Sequence, residues 1–266
     1  MTKVLRLPVG LLICAFVVGG AIAAEESDAP SWADDLRLTF HGVAPPGRVT
    51  ISINGEFAAE FDRDPPSMTD IGDLVREGQN VITVVVEGDA DRATGSGRNV
   101  RLAIAPARKV SASRLEIGRP LVEVTLPPDV PADFRCSQDI RFWAGPELEP
   151  AVDLKEAYWL VFHGPPTHHL VAAKVNGKVL FEAMEGDMFF NITEHVVKGK
   201  NEIEYEARRT CLARPTDQDD PLRVFVTTGD EKTEVVEMSG LPEALFVIEP
   251  DEKKDEIVRR SAFRAR

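Results

Sequence analysis

The sequence predicts an all-β protein made of two copies of one β-sandwich, and three observations support this prediction. Short motifs recur 122 or 121 residues apart over a long stretch, which indicates a duplicated unit. Within both copies, apolar and polar residues alternate with the period of a half-buried strand. Turn-forming pairs, Asn54-Gly55 and Asn176-Gly177, separate the alternating segments.

Residues 1–24 have the pattern of a secretory signal peptide. Two cations precede an uncharged, mostly apolar run from Val9 to Ala24, and small residues at its end fit a cleavage site. An uncleaved membrane anchor is the alternative interpretation. Cleavage predicts a periplasmic or secreted protein whose mature chain begins at Ala24 or Glu25. No later apolar run is long enough to span a membrane.

The first predicted sandwich covers residues 25–128. Its first two strands are expected to turn six apolar residues inward, namely Leu36, Leu38, Phe40, Val49, Ile51 and Ile53. The Asn54-Gly55 pair predicts a hairpin, and residues 70–76 fit one helical turn that ends at Gly78. Further strands are expected at 56–61, 80–87, 100–104 and 121–126.

The second predicted sandwich covers residues 129–250 and repeats these elements. Tyr158, Leu160 and Phe162 take the positions of the first inward set. The stretch 129–157 has no counterpart of equal length in the first unit, so either the first unit lacks edge strands or the second carries an elaboration.

The turn motifs of the two copies form one series. The second copy carries Asn176-Gly177, Asn191-Ile192-Thr193 and Gly199-Lys200-Asn201. The first copy keeps Asn54-Gly55 and Gly78-Gln79-Asn80 but lacks the threonine. This series resembles the galactose-binding-domain-like β-sandwich, in particular the sugar-binding domain of family 2 glycoside hydrolases. The resemblance implies two tandem jelly-roll-type β-sandwich domains and carbohydrate binding, although many proteins of this fold bind no sugar.

Two cysteines remain after the signal peptide, Cys136 and Cys211. An even number in an exported chain predicts a disulfide, which would lie within the second unit. Two buried free thiols are the alternative, because export is itself an inference.

The charge pattern bears on the partners of the protein. A formal net charge of -13 repels nucleic acid and anionic membrane surfaces. Residues 251–266 form a charged tail that ends in arginines. This tail is predicted either to form a short solvated helix or to dock on an acidic partner.

Catalytic and metal-site motifs give no positive prediction. The sequence contains no nucleophile elbow, phosphate-binding loop or zinc-protease motif, and we expect no enzyme activity and no cofactor. His163, His168 and His169 lie close in sequence, but His41 occupies the place of His163 alone, which favours a structural role. Acidic loops at 62–64 and 217–220 offer oxygen ligands for a structural calcium ion.

Trp159 and Trp143 are the candidate ligand-binding residues. Trp159 stands between two inward residues, so the strand period points it away from its own core. Three environments remain open for it: cover by residues 129–157, an interface with the other unit or a partner, and a glycan-stacking platform.

These observations predict an exported, non-enzymatic pair of binding modules for a glycan or an envelope protein. The alternatives are a structural or assembly module without a small ligand, and an accessory subunit of an envelope glycoside hydrolase.

Overall fold

The structure is a computed structural model, and it describes residues 35–42, 47–61, 68–89, 100–111, 114–118, 120–127, 130–145, 154–184, 186–212, 219–232 and 235–266. The predicted signal peptide at 1–24 lies outside the described residues. No helix in the described ranges has the length and apolar composition that a membrane crossing requires.

The described residues form 18 β-strands and two short 3₁₀ turns, which confirms the all-β prediction. The strands of the first repeat are β1 Leu36–His41, β2 Gly47–Ile53, β3 Glu56–Phe61, β4 Met68–Asp70, β5 Gly78–Gly88, β6 Val100–Ser111, β7 Arg114–Ile117, β8 Val122–Leu126 and β9 Arg135–Ala144. Those of the second repeat are β10 Tyr158–His163, β11 His169–Val175, β12 Lys178–Ala183, β13 Met188–Asn191, β14 Gly199–Arg209, β15 Leu222–Lys232, β16 Val235–Met238, β17 Glu243–Ile248 and β18 Glu256–Ala265.

The 3₁₀ turns are Gly72–Leu74 and Thr193–His195, each between the fourth and fifth strands of its repeat. The duplication therefore covers all nine strands of each described repeat, and β1 corresponds to β10 just as β9 corresponds to β18.

The strand pairs of the described residues are antiparallel and form four small sheets. In the first repeat these have the orders β4-β1-β6-β7, with β8 also on β6, and β3-β2-β5-β9. In the second repeat they have the orders β13-β10-β15-β16, with β17 also on β15, and β12-β11-β14-β18. Each repeat has a buried apolar cluster to which both of its sheets contribute.

The sheets are arranged as a ring that resembles a four-bladed β-propeller. The prediction of two tandem jelly-roll sandwiches is therefore wrong, and so is the resemblance to the galactose-binding-domain-like family that implied it. The turn motifs specify hairpins, and hairpins of the same kind occur in many all-β arrangements.

Buried asparagines explain the repeated turn motifs. Asn54 has a φ of 53° at the tip of the β2–β3 hairpin. Its side-chain nitrogen donates to Oδ1 of the fully buried Asn80 at 2.8 Å. Asn176 and Asn201 make the same contact in the second repeat, also at 2.8 Å. Each asparagine pair ties the hairpin to the segment after the 3₁₀ turn, so these motifs are structural.

Strand β9 belongs with the first repeat, whereas the sequence placed residues 129–157 in the second unit. It pairs with β5 from Gly78↔Ala144 to Glu87↔Arg135. The elaboration at 129–157 thus includes the last strand of the first repeat. No strand was predicted here, and the alternation of buried and exposed residues along β9 does not identify the sheet that it joins.

The tail also differs from the prediction, because residues 256–265 form strand β18 and not a solvated helix. The strand pairs with β14 over ten residues. Phe263 and Ala265 are buried in the second core, and the alternate positions hold the exposed residues Val258, Arg260, Ala262 and Arg264. Arg259 follows the period of the buried residues but is exposed, so charge on both faces concealed the two-residue period of this strand.

Candidate ligand cleft between the two repeats

A cavity of about 640 Å³ opens between the repeats at the ends of several strands. The first repeat contributes Arg101 from β6 and Glu123 from β8. The second contributes the segment after β10, the start of β13 and the start of β15. Its charged lining residues are Arg101, Glu123, His163, Asp187, Asp220 and Arg223.

Two glycines shape the floor of the cleft. Gly164 has a φ of 126°, and a Cβ at this position would lie 2.5 Å from the carbonyl oxygen of Pro221. A Cβ on Gly186 would lie 2.3 Å from the backbone nitrogen and oxygen of Gly164. The backbones approach this closely because neither residue has a side chain. Gly186 N donates to Gly164 O at 3.1 Å, which fixes the two segments.

Two charged pairs lie in the cleft. The His163 Nδ1 and Asp187 Oδ1 atoms are 3.0 Å apart, and both side chains are exposed. Arg101 Nη1 lies 3.3 Å from Glu123 Oε1.

Arg223 is half-buried, and its side chain has no hydrogen bond or ion pair with any residue that the structure describes. The repeat explains this difference from Arg101. Arg223 corresponds to Arg101, but the position of Glu123 is taken by Leu245 in the second repeat. The cleft therefore holds a guanidinium without a neighbouring carboxylate from its own sheet, which favours an anionic group on a ligand.

Trp159 faces away from its core, as predicted, but it is fully buried. Tyr158, Leu160 and Phe162 belong to the second core, and Trp159 does not. Its Nε1 donates to the carbonyl of Gly229 at 3.0 Å. No indole face remains open to a ligand in this arrangement.

The position of Trp159 indicates what covers it. On β10 the strand period places Trp159 on the same face as Val161 and His163, and Val161 is also buried. His163 lines the cleft that Arg101 and Glu123 close from the first repeat. This face of β10 thus lies at the junction of the repeats, which favours the interface among the three environments that the sequence left open.

Trp143, the second candidate, is half-buried beside β12. Lys178 Nζ lies 4.8 Å from its ring centroid, and His195 meets it edge-on with ring centroids 6.5 Å apart. One face of this indole is thus occupied by a cation from the second repeat. Neither tryptophan is among the residues that line the cleft.

A charged cluster, hereafter the seam cluster, joins β9 to the sheet of β12. Glu182 is fully buried, and its Oε2 accepts from the Arg141 backbone nitrogen at 2.6 Å. Its Oε1 accepts from Arg141 Nε at 2.7 Å, and Arg208 Nη2 lies 3.1 Å from Oε2. Every oxygen of this buried carboxylate is therefore satisfied.

The seam cluster extends to Lys174, whose Nζ lies 2.8 Å from Glu204 and 2.9 Å from Glu206. These hydrogen bonds raise the pKa of Lys174. The hydrogen bonds from Lys174 and Arg260 lower the pKa of Glu204. Burial alone would raise the pKa of Glu206, but Lys174 and Arg141 hold it below its ordinary value.

The disulfide between Cys136 and Cys211 is confirmed, with Cα atoms 5.9 Å apart. The disulfide was expected to lie within the second unit, but it does not, because Cys136 is on β9 of the first repeat. The other cysteine follows β14 of the second repeat. The bond therefore links the repeats covalently beside the seam cluster.

The described histidines are not grouped with two or more other metal-ligating side chains. No group of three metal-ligating side chains occurs among the residues that the structure describes. His169 Nε2 lies 2.8 Å from the Lys254 carbonyl, and burial followed by the charge of Arg209 lowers the pKa of His168. Residues 62–64 and 217–218 lie outside the described residues, so the structural calcium ion stays a prediction.

The sequence did not point to Arg101, Glu123, Asp187 or Arg223 as site residues, and it named Asp220 only as part of a possible calcium-binding loop. A signal was present, since His163-Gly164 belongs to the repeated series and Arg223 corresponds to Arg101. Their convergence depends on how the sheets of the two repeats meet, which no local pattern shows.

Comparison of the chain with protein-family models, with curated proteins and with solved structures gave no match.

Proposed function

We propose that this protein is an exported, non-enzymatic binding protein whose inter-repeat cleft receives an acidic glycan. The observation that carries the proposal is Arg223, a half-buried guanidinium with no partner among the described residues. A guanidinium in such a position binds a carboxylate through two parallel hydrogen bonds. His163, Asp187 and Asp220 supply donors and acceptors for sugar hydroxyl groups around it.

The described lining of the cleft contains no serine, threonine, cysteine or lysine that the His163–Asp187 pair would activate as a nucleophile. We assign its carboxylates, Glu123, Asp187 and Asp220, to hydrogen bonds with sugar hydroxyl groups and ion pairs within the cleft. Export is supported by the signal-peptide pattern together with the disulfide, because disulfides persist in oxidising compartments.

The test is calorimetric titration with uronic-acid oligosaccharides and with neutral oligosaccharides of the same length. We expect the acidic oligosaccharides to bind more tightly than the neutral ones, and we expect this difference in affinity to shrink at high salt. Arg223→Gln should weaken acidic binding at least about tenfold because the charge-assisted pair is lost. Arg48→Gln is the matched control, since Arg48 is exposed on β2 and lies 3.9 Å from Glu60. Equal binding by wild type and Arg223→Gln would contradict the proposal.

A second candidate, an assembly module without a small ligand, is favoured by exposed apolar side chains. Phe57 is 64% exposed and Leu241 is 85% exposed. Exposed apolar groups of this size often mark protein interfaces.

A further inference from the structure

The two repeats contact each other through one surface of each repeat. Strand β9 of the first repeat packs against β12 of the second, and β8 also contacts β12. In this seam Lys178 on β12 lies over Trp143 on β9, and Glu182 on β12 pairs with Arg141 on β9 at 2.7 Å. The seam therefore joins two different surfaces, one from each repeat.

The duplication supplies a second copy of both surfaces on every chain. Strand β18 corresponds to β9, and strand β3 corresponds to β12. In the sheet orders β3-β2-β5-β9 and β12-β11-β14-β18, the strands β9 and β12 meet at the seam. Strands β3 and β18 are the two far edges of these sheets.

In the described part of the chain, both far edges carry exposed side chains, although β17 contacts β18. On β3, Phe57 is 64% exposed, whereas its counterpart in the seam, Val179, is 4% exposed. On β18, Ala262 and Arg264 are exposed at the positions of Arg141 and Trp143. We call these the β3 face (Glu56, Phe57 and Glu60) and the β18 face (Val258, Ala262 and Arg264).

Both faces carry apolar side chains. The β3 face has Phe57 where β12 has Val179, and the β18 face has Ala262 where β9 has Arg141. Val258, also on β18, adds a second exposed apolar side chain at 52%.

The two faces also complement each other in charge. Lys178 on β12 and Trp143 on β9 touch in the seam. At the corresponding positions of the far edges, β3 has Glu56 and β18 has Arg264. The Arg264 side chain has no hydrogen bond or ion pair with any described residue. Glu56 makes only a long, exposed pair with Arg76 at 3.5 Å. Opposite charges at corresponding positions favour docking in the register of the seam.

We propose that the chain associates head to tail, with the β18 face of one copy docked on the β3 face of the next. The interface joins two different surfaces, so each dimer retains one free face of each kind, and growth proceeds to a ring or an open filament. The contact is reversible, because Ile257 stands where the seam has Cys136 and no disulfide links the copies. The inference does not depend on the proposed ligand cleft.

The test is sedimentation velocity of the oxidised mature protein over a concentration series. Wild type should show species larger than a monomer that grow with concentration. Phe57→Glu and Arg264→Glu, each alone, should shift the protein to monomer while the thermal unfolding midpoint stays within a few degrees of wild type. Phe189→Glu is the control, because Phe189 is 39% exposed on β13, in a different sheet.

Mixing the two monomeric variants distinguishes head-to-tail association from a symmetric dimer. Phe57→Glu retains an intact β18 face and Arg264→Glu retains an intact β3 face, so an equimolar mixture should form dimers and nothing larger. The double variant Glu56→Arg, Arg264→Glu should regain association by itself. A wild type that stays monomeric at all concentrations would overturn the inference, as would a mixture that stays monomeric. Arg223→Gln should associate normally, which separates this inference from the failure of the proposed function.

Discussion

At the residue scale, Glu182 shows how a carboxylate is kept inside the protein. It has no exposed surface, and Arg141 and Arg208 contact it from two different strands. Removing a partner from a buried ion pair is costly, because the remaining charge stays desolvated and unpaired.

We therefore expect Arg141→Met to lower the free energy of unfolding by about 3 kcal/mol. Urea denaturation under oxidising conditions measures the change. Arg76→Met is the control, because Arg76 forms an exposed pair with Glu56 and should cost less than about 1 kcal/mol. Equal effects of the two substitutions would contradict the stabilising role of the buried pair.

Trp159 gives a second prediction at this scale. Trp159→Ala should lower the free energy of unfolding by about 3–5 kcal/mol, because a large, fully buried side chain is removed. Trp159→Phe retains most of the apolar volume and should cost clearly less than Trp159→Ala. A loss below about 1 kcal/mol for Trp159→Ala would show that the indole is not buried in solution.

At the scale of elements, β9 determines how the repeats are joined. It completes the sheet of β5, contacts β12 and carries one half of the disulfide. Its counterpart β18 completes the sheet of β14 in the same way, but it carries Ile257 and Ala262 in place of the cysteine and the arginine. Strand β9 thus forms the disulfide-linked contact between the repeats, whereas its counterpart β18 forms the outer edge of its sheet.

The disulfide should stabilise the protein by limiting the unfolded chain. Cys136 and Cys211 are 75 residues apart, and a loop of that length corresponds to about 4 kcal/mol in the chain-entropy model. The double variant Cys136→Ser, Cys211→Ser should lose a stability of this order in urea denaturation. Non-reducing peptide mapping of the wild type should recover the linked peptide pair, and two free thiols would contradict the pairing.

At the scale of the whole molecule, the seam cluster predicts how stability depends on pH. Glu204 and Glu206 have pKa values below the ordinary 4.5, so their contribution is present above that pH and is lost as the pH falls through the folded-state values. Lys174 has a pKa above the ordinary 10.5, so its contribution is present below that pH and is lost as the pH rises through its folded-state value. The contribution of these contacts to the free energy of unfolding is therefore expected to be constant between about pH 5 and pH 10.

Lys174→Met should therefore lower the thermal unfolding midpoint most between about pH 5 and pH 10. The difference from wild type should shrink as the pH falls through the lowered folded-state pKa values of Glu204 and Glu206, because the glutamates then become protonated in both proteins. Lys200→Met is the control, since Lys200 and its partner Glu202 are exposed and 3.4 Å apart. A difference that is constant with pH would contradict the role of the charged contacts.

The sequence by itself determined the duplication, the Asn-Gly hairpins and many of the strands, but not β9 or β18. Local physics is sufficient for these features, because alternation assigns a face to each residue and an Asn-Gly pair accepts the positive φ of a tight turn. The outward direction of Trp159 and the pairing of Cys136 with Cys211 also followed from the sequence.

Only the tertiary structure decided how the four sheets meet. The placement of β9 and β18, the burial of Trp159 and the convergence of Arg101 with Arg223 all depend on contacts between residues far apart in the chain. Antiparallel sheets with the same alternation can be packed in several arrangements, and the period of two that identifies a strand carries no information about the sheet it faces. For that reason the sequence pointed to tryptophans on a predicted sandwich, whereas the packing of the sheets placed an arginine without a partner in the cleft.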